Sequence, residues 1–148
     1  MFFTFAFKKR AVDLVHRRDK NTFEFVELKI DSNTPVYAAI EVVIYGLLWL
    51  LSRRDRVTLG YPAGPILDAN QLGLSVLAPQ SYYSQYSLEP LAAGINDALH
   101  KLGDQHGAKM SFRFTGFPEQ FDWPRNPTEY LKISDEDLIE FLDARKSI

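Results

Sequence analysis

Residues 13–29 read D-L-V-H-R-R-D-K-N-T-F-E-F-V-E-L-K. A polar run, Arg17 to Asn21, separates two apolar segments. R-A-V-D-L-V-H (10–16) predicts a strand. T-F-E-F-V-E-L-K-I (22–30) alternates and is rich in Phe, Val and Ile, which predicts another. Strands this close in sequence form an antiparallel hairpin. With a three-residue turn, Asp19 to Asn21, Arg18 pairs with Thr22 and paired residue numbers sum to forty. Asp13 then falls opposite Glu27, with β-carbons about 5 Å apart on one face. Lys29 lies two residues on and shares that face. A turn of two or four residues, or a bulge, gives a different register and parts the two acids.

Two carboxylates at this spacing suit a hard divalent ion such as Mg²⁺ or Mn²⁺, which takes oxygen ligands and keeps several waters. A lysine beside them can orient an attacking water or stabilise charge on a phosphate. The same residues also fit a solvated strand face, with Asp13 paired to Arg10 or Arg17. Glu41 stands inside an apolar helix, where a carboxylate needs a partner such as Tyr45 or Lys29, or a raised pKa.

Outward from the hairpin, residues 2–7 are Phe-rich and predict a strand that precedes it. Thr34 is a good helix N-cap and Pro35 suits the first helical position. That helix is expected to run to about Ser52. It is apolar nearly all round, so burial on more than one side is expected. Its most apolar part, Pro35 to Leu51, is 17 residues long, at the lower limit for a membrane span, and contains Glu41. A core helix, and no membrane partner, is therefore expected; such a helix also suits a homodimer interface. Residues 53–72 are irregular, with Gly60, Pro62, Gly64 and Pro65 as breakers. G-L-S-V-L-A (73–78) predicts a strand, and 81–87 a loop whose Tyr82, Tyr83 and Tyr86 either pack or stack on bases. Residues 89–102 have helical spacing and Gly103 ends them. Residues 109–115 alternate, with Met110, Phe112 and Phe114 opposed to Ser111 and Arg113. Residues 116–133 are Pro-rich and irregular, and Ser134 caps a last helix with acids in its first turn. The order predicts one α/β domain over 1–148, with a mixed central sheet begun by an antiparallel hairpin and helices packed on it.

The 148 residues contain no cysteine, which excludes disulfides, thiolate metal sites and cysteine nucleophiles and fits a reducing, cytoplasmic location. Three histidines, His16, His100 and His106, are too scattered to form a metal cluster. There is no nucleophile elbow, phosphate-binding P-loop or dinucleotide fingerprint. Residues 1–60 carry a net charge of +3 and residues 61–148 a net charge of −5, in keeping with the overall −2. A polyanion would meet the first part, where Arg17, Arg18, Arg53 and Arg54 are candidate phosphate contacts. The acidic remainder suits solvent or a protein partner.

Asp13, followed by F25-V26-E27-L28-K29-I30 and then a helix, resembles the core of the PD-(D/E)xK phosphodiesterases, the restriction-endonuclease-like nucleases. The resemblance covers about residues 1–80, with 81–148 as a helix-strand-helix extension. It implies Asp13 and Glu27 as metal ligands, with the Leu28 main-chain carbonyl beside them, and Lys29 as the catalytic lysine. Several branches carry Gln-x-x-x-Tyr on the following helix. Here the matching place reads Glu41-Val-Val-Ile-Tyr45, so Tyr45 fits and Glu41 departs, as an additional acidic contributor. The family's helix before the first strand has no room ahead of Asp13, which implies a chain shortened or degenerate at that end. The implied activity is metal-dependent hydrolysis of phosphodiester bonds in DNA or RNA. The alternative is an inactive nuclease fold that binds protein or nucleic acid.

Overall fold

The computed structural model describes residues 11–118 and 134–148. The hairpin is present. Strand β1 (Leu14–Arg17) and strand β2 (Thr22–Leu28) pair antiparallel, with Leu14 opposite Val26 and Arg17 opposite Phe23. The three-residue turn is also present, and the Arg18 N–H donates to the Thr22 carbonyl at 3.0 Å. β1 is shorter than the expected 10–16 and begins after Asp13. The expected strand over 2–7 lies outside the described residues.

Asn33, with φ of 63°, turns the chain from β2 into helix α1 (Pro35–Arg54). Asn tolerates this left-handed conformation because its short polar side chain bonds locally. Thr34 caps the helix by accepting from the Tyr37 N–H at 3.2 Å. Beyond α1, the stretch expected to be irregular holds a single helical turn, α2 (Pro65–Asp68). Strand β3 (Gln71–Ala78) follows, then α3 (Gln80–Tyr83), in the segment expected to be a loop. Helix α4 (Glu89–Gln105) runs past Gly103, which sits inside its last turn. A β-carbon at Gly103 would overlap the Ala108 carbonyl, so glycine there permits close chain approach instead of ending the helix. Strand β4 (Lys109–Gly116), helix α5 (Asp135–Ala144) and the short strand β5 (Lys146–Ser147) complete the order. Ser134 and Asp137 form the capping box of α5. Residues 119–133, most of the segment expected to be irregular, lie outside the described residues.

The sheet is mixed and five-stranded, in the order β1-β2-β3-β4-β5. β2, β3 and β4 are parallel; β1 and β5 pair antiparallel and are the outermost strands among the described residues. Alternation sends Val15, Phe23, Phe25, Leu72, Leu74, Val76, Phe112 and Phe114 to one face, where Ala38, Ala39, Val42, Trp49 and Leu50 of α1 close the main core. Gly46 lets α1 approach β3 closely, since a β-carbon there would stand 2.6 Å from the Leu74 side chain. On the other face a smaller core joins Val26 and Leu77 to Phe117 and to Leu142 of α5.

The expectation that α1 is buried on more than one side does not hold. Only 39% of its apolar window is buried, although by length and composition the helix could cross a membrane. Its inner face meets β2 and β3, while Tyr37, Ile40, Ile44, Leu48 and Leu51 stay exposed. Composition alone cannot place an apolar helix, because packing on a sheet covers only one side of it.

Candidate functional site

The carboxyl end of β2 meets the first turns of α1. Glu27 and Lys29 leave the strand on the α1 face, and Glu41 reaches in from the helix. The Lys29 Nζ donates to Glu27 Oε1 at 2.6 Å and to Glu41 Oε2 at 2.9 Å. Glu27 and Lys29 are buried; the Glu41 side chain is 32% exposed, so solvent enters along the helix. Register brings Asp13 to the same end, and its Oδ2 accepts from the Leu28 N–H at 2.9 Å. Asp13 is thus held against the backbone of β2 just outside the strand. Tyr45 lies one turn beyond Glu41 on α1 and packs at the margin of the main core.

The charges are unbalanced. Burial pushes the Glu27 carboxyl up, the Lys29 hydrogen bond opposes this, and the neighbouring Asp13 and Glu41 charges raise it again, to about 7. Burial works against the Lys29 charge, yet the hydrogen bonds it donates to Glu27 and Glu41 hold that ammonium above its ordinary range. The site is therefore a buried carboxyl poised to gain or lose a proton near neutrality, beside an ammonium that stays charged.

Asp13 and Glu27 offer oxygen donors of the kind a hard ion takes, and Mg²⁺ binds through one or two carboxylates when waters or phosphates fill its shell. Burial is the main cause of the raised Glu27 carboxyl, and a cation between the acids would relieve the lesser part that comes from the Asp13 charge. On this chemistry the donors fit such an ion. Among the described residues, no group of three or more His, Asp or Glu forms a fuller metal cluster.

The four arginines lie elsewhere. Arg17 and Arg18 flank the turn at the opposite end of β2, and Arg53 and Arg54 end α1, roughly 18–20 Å along the helix from Glu41. Arg17 donates to the Asp19 carbonyl and stands over the Phe23 ring. Arg53 bonds the His106 carbonyl and stands over Trp49, and Arg54 pairs with Asp55. Arg18 pairs with Glu24 at 3.3 Å.

One neighbour of the site was assigned no role there by the sequence reading. Tyr82 of α3 donates to the Ser32 carbonyl at 3.3 Å. Burial raises its phenol pKa, and its hydroxyl feels the charges of Lys29, Glu41 and Glu27. The available signal was topological, since Tyr82 follows the carboxyl end of β3, and open α/β sheets place their ligands at the carboxyl ends of their strands.

The other sheet face holds a second buried carboxylate. Glu24 takes Arg145 at 2.6 Å, Arg113 at 3.0 Å and Arg18 at 3.3 Å, with His16 Nδ1 at 3.9 Å. Burial works to raise its pKa, but His16, Arg145 and Arg113 overcome this and hold the carboxyl well below the usual range.

These features define an α/β protein with a mixed sheet, five-stranded among the described residues, and a carboxylate–lysine–carboxylate group, buried at Glu27 and Lys29 and partly open at Glu41, beside Asp13. Comparisons with protein-family models, with curated proteins and with solved structures returned no match.

Proposed function

We propose that the chain is a metal-dependent nuclease domain of the PD-(D/E)xK kind, hydrolysing phosphodiester bonds in DNA or RNA. The observation that carries this reading is the meeting of Asp13, Glu27 and Lys29 at one end of a hairpin, with Glu41 of the following helix on the same lysine. The antiparallel strand before β2 and the helix directly after it support this reading. Asp13 and Glu27 would hold Mg²⁺ or Mn²⁺, with the Leu28 main-chain carbonyl beside them. When bound, that ion would polarise a phosphate oxygen and lower the pKa of a water. Lys29 keeps its proton and so serves as a positive group that orients the water and the phosphate. Glu41 fixes the ammonium from the helix side, and Tyr45 supports the same helix face. The cytoplasmic location inferred from composition suits this reading.

A second reading has its own support. Lys29 is bonded to both glutamates, an arrangement that also serves as a structural tie in an inactive nuclease-like module that binds protein or nucleic acid.

Calorimetric titration with Mg²⁺ and Mn²⁺ separates the two. The nuclease reading expects binding that is lost in Glu27→Ala. It also expects proton release near pH 7, seen as a dependence of the apparent enthalpy on the buffer's ionisation heat. Nuclease assays, with Lys29→Ala as the chemical control, then follow. No binding to the wild type at millimolar metal would favour the structural tie.

A further inference from the structure

Independently of the nuclease reading, we propose that the outer face of α1 is a two-fold interface with a second copy of this chain, centred on Ile44. Seven large apolar side chains of α1 (Val36, Tyr37, Ile40, Ile44, Leu47, Leu48 and Leu51) are each between 41% and 53% exposed. Five of them, Tyr37, Ile40, Ile44, Leu48 and Leu51, follow one another at spacings of three, four, four and three. The series reads the same from either end. In an isologous contact residue i meets j and j meets i, so this spacing puts an apolar side chain opposite each of the five. Laid antiparallel, two such helices set Tyr37 against Leu51, Ile40 against Leu48, and Ile44 against Ile44 at the axis.

Size and charge agree with a second copy as the occupant. The seven side chains leave about 600 Å² accessible on each copy and so about 1,200 Å² for a pair, the lower end of stable interfaces and more than a lone patch usually presents. Glu41 is the charged residue within the span of the seven, and its pairing with Lys29 at 2.9 Å limits the repulsion between the two copies. Antiparallel stacking also opposes the two helix dipoles favourably. Glu41 borders the stripe, about 60° round the helix from Ile44, and Tyr45 lies about 100° round on the same side.

The test is sedimentation of the full chain, without detergent, at tens of micromolar. The wild type is expected at twice 17.0 kDa. Ile44→Glu is expected as a monomer with an unchanged circular dichroism spectrum, its dimer dissociation constant raised at least about a hundredfold by two carboxylates meeting on the axis. The chain's lack of cysteine allows a second readout that does not rely on a disruptive change. Ile44→Cys is expected to cross-link to itself with a short bismaleimide. Leu51→Cys alone is expected not to, because its mate lies roughly 21 Å away along the paired helices. Leu51→Cys mixed with Tyr37→Cys is expected to cross-link. A monomeric wild type, a dimer unaffected by Ile44→Glu, or self-linking of Leu51→Cys with none at Ile44→Cys would each overturn the proposal. So would wild-type binding to phosphatidylcholine vesicles that Ile44→Glu abolishes, since the stripe would then be a lipid contact.

Discussion

Glu24 and Glu27 stand three residues apart on one strand, both almost fully buried, and ionise in opposite senses. Alternation explains the difference: three positions along a strand is an odd step, so the two side chains leave by opposite faces. On one face Glu24 meets three guanidinium groups. On the other, Glu27 has one ammonium, which it shares with Glu41, and the Asp13 charge beside it. Desolvation burdens both carboxyls, and the count and sign of the neighbours decide which way each moves. Glu24 is a fully compensated buried charge, as in a structural anchor. Glu27 is under-compensated, the condition of a group that can take up a cation or a proton.

The largest expected effect is on the compensated side. Glu24→Gln takes from the Arg145 side chain, 2% exposed, the carboxylate that it meets at 2.6 Å. The expected loss is about 3–5 kcal/mol, read from urea unfolding at pH 7. A loss under about 1 kcal/mol would mean that Arg145 finds solvent elsewhere and that the anchor is not one.

The next effect depends on pH and separates the two acids by sign. Folded Glu27 binds its proton more tightly than an ordinary glutamate of pKa 4.5, so stability falls as pH rises from about 4.5 to 7. Folded Glu24 binds its proton more weakly, so its contribution is complete above 4.5 and is lost as pH falls. The wild type is expected to lose of order 2 kcal/mol between pH 5 and 7.5. The Glu27→Gln variant should be flat over that range while keeping the acid limb. Persistence of the slope in that variant would move its origin away from Glu27.

The smallest effect tests exposure within the Glu24 cluster. Arg113 makes a comparable contact, but its side chain is 40% exposed. Arg113→Met should cost under about 1 kcal/mol in the same unfolding assay. A cost equal to that of Glu24→Gln would show that the three guanidiniums act as one unit.

Much of the fold was legible in local chemistry. The R-R-D-K-N turn set the hairpin register, which carried Asp13 to the carboxyl end of β2. Thr34-Pro35 marked the start of α1 and Ser134 the start of α5. Other features were misread where a residue served a distant contact. Gly103 had the look of a helix stop, yet it answers to the Ala108 backbone. Tyr82 and Tyr83 were expected in a loop but stand on the helical turn α3, where Tyr83 packs as expected and donates to the Val76 and Thr115 carbonyls.

The amino-acid sequence by itself determined the alternation of strands and helices and, given a three-residue turn, the adjacency of Asp13, Glu27 and Lys29. All of these follow from backbone periodicity and turn length over a few residues. Only the tertiary structure decided that Glu41 shares Lys29, that Arg145 reaches Glu24 across 121 positions, and that α1 keeps an apolar face outward. Those outcomes depend on which strands neighbour one another and on which side each crossover helix packs. A local pattern carries no record of either, because the free energy that selects them is the burial of whole faces against distant parts of the chain.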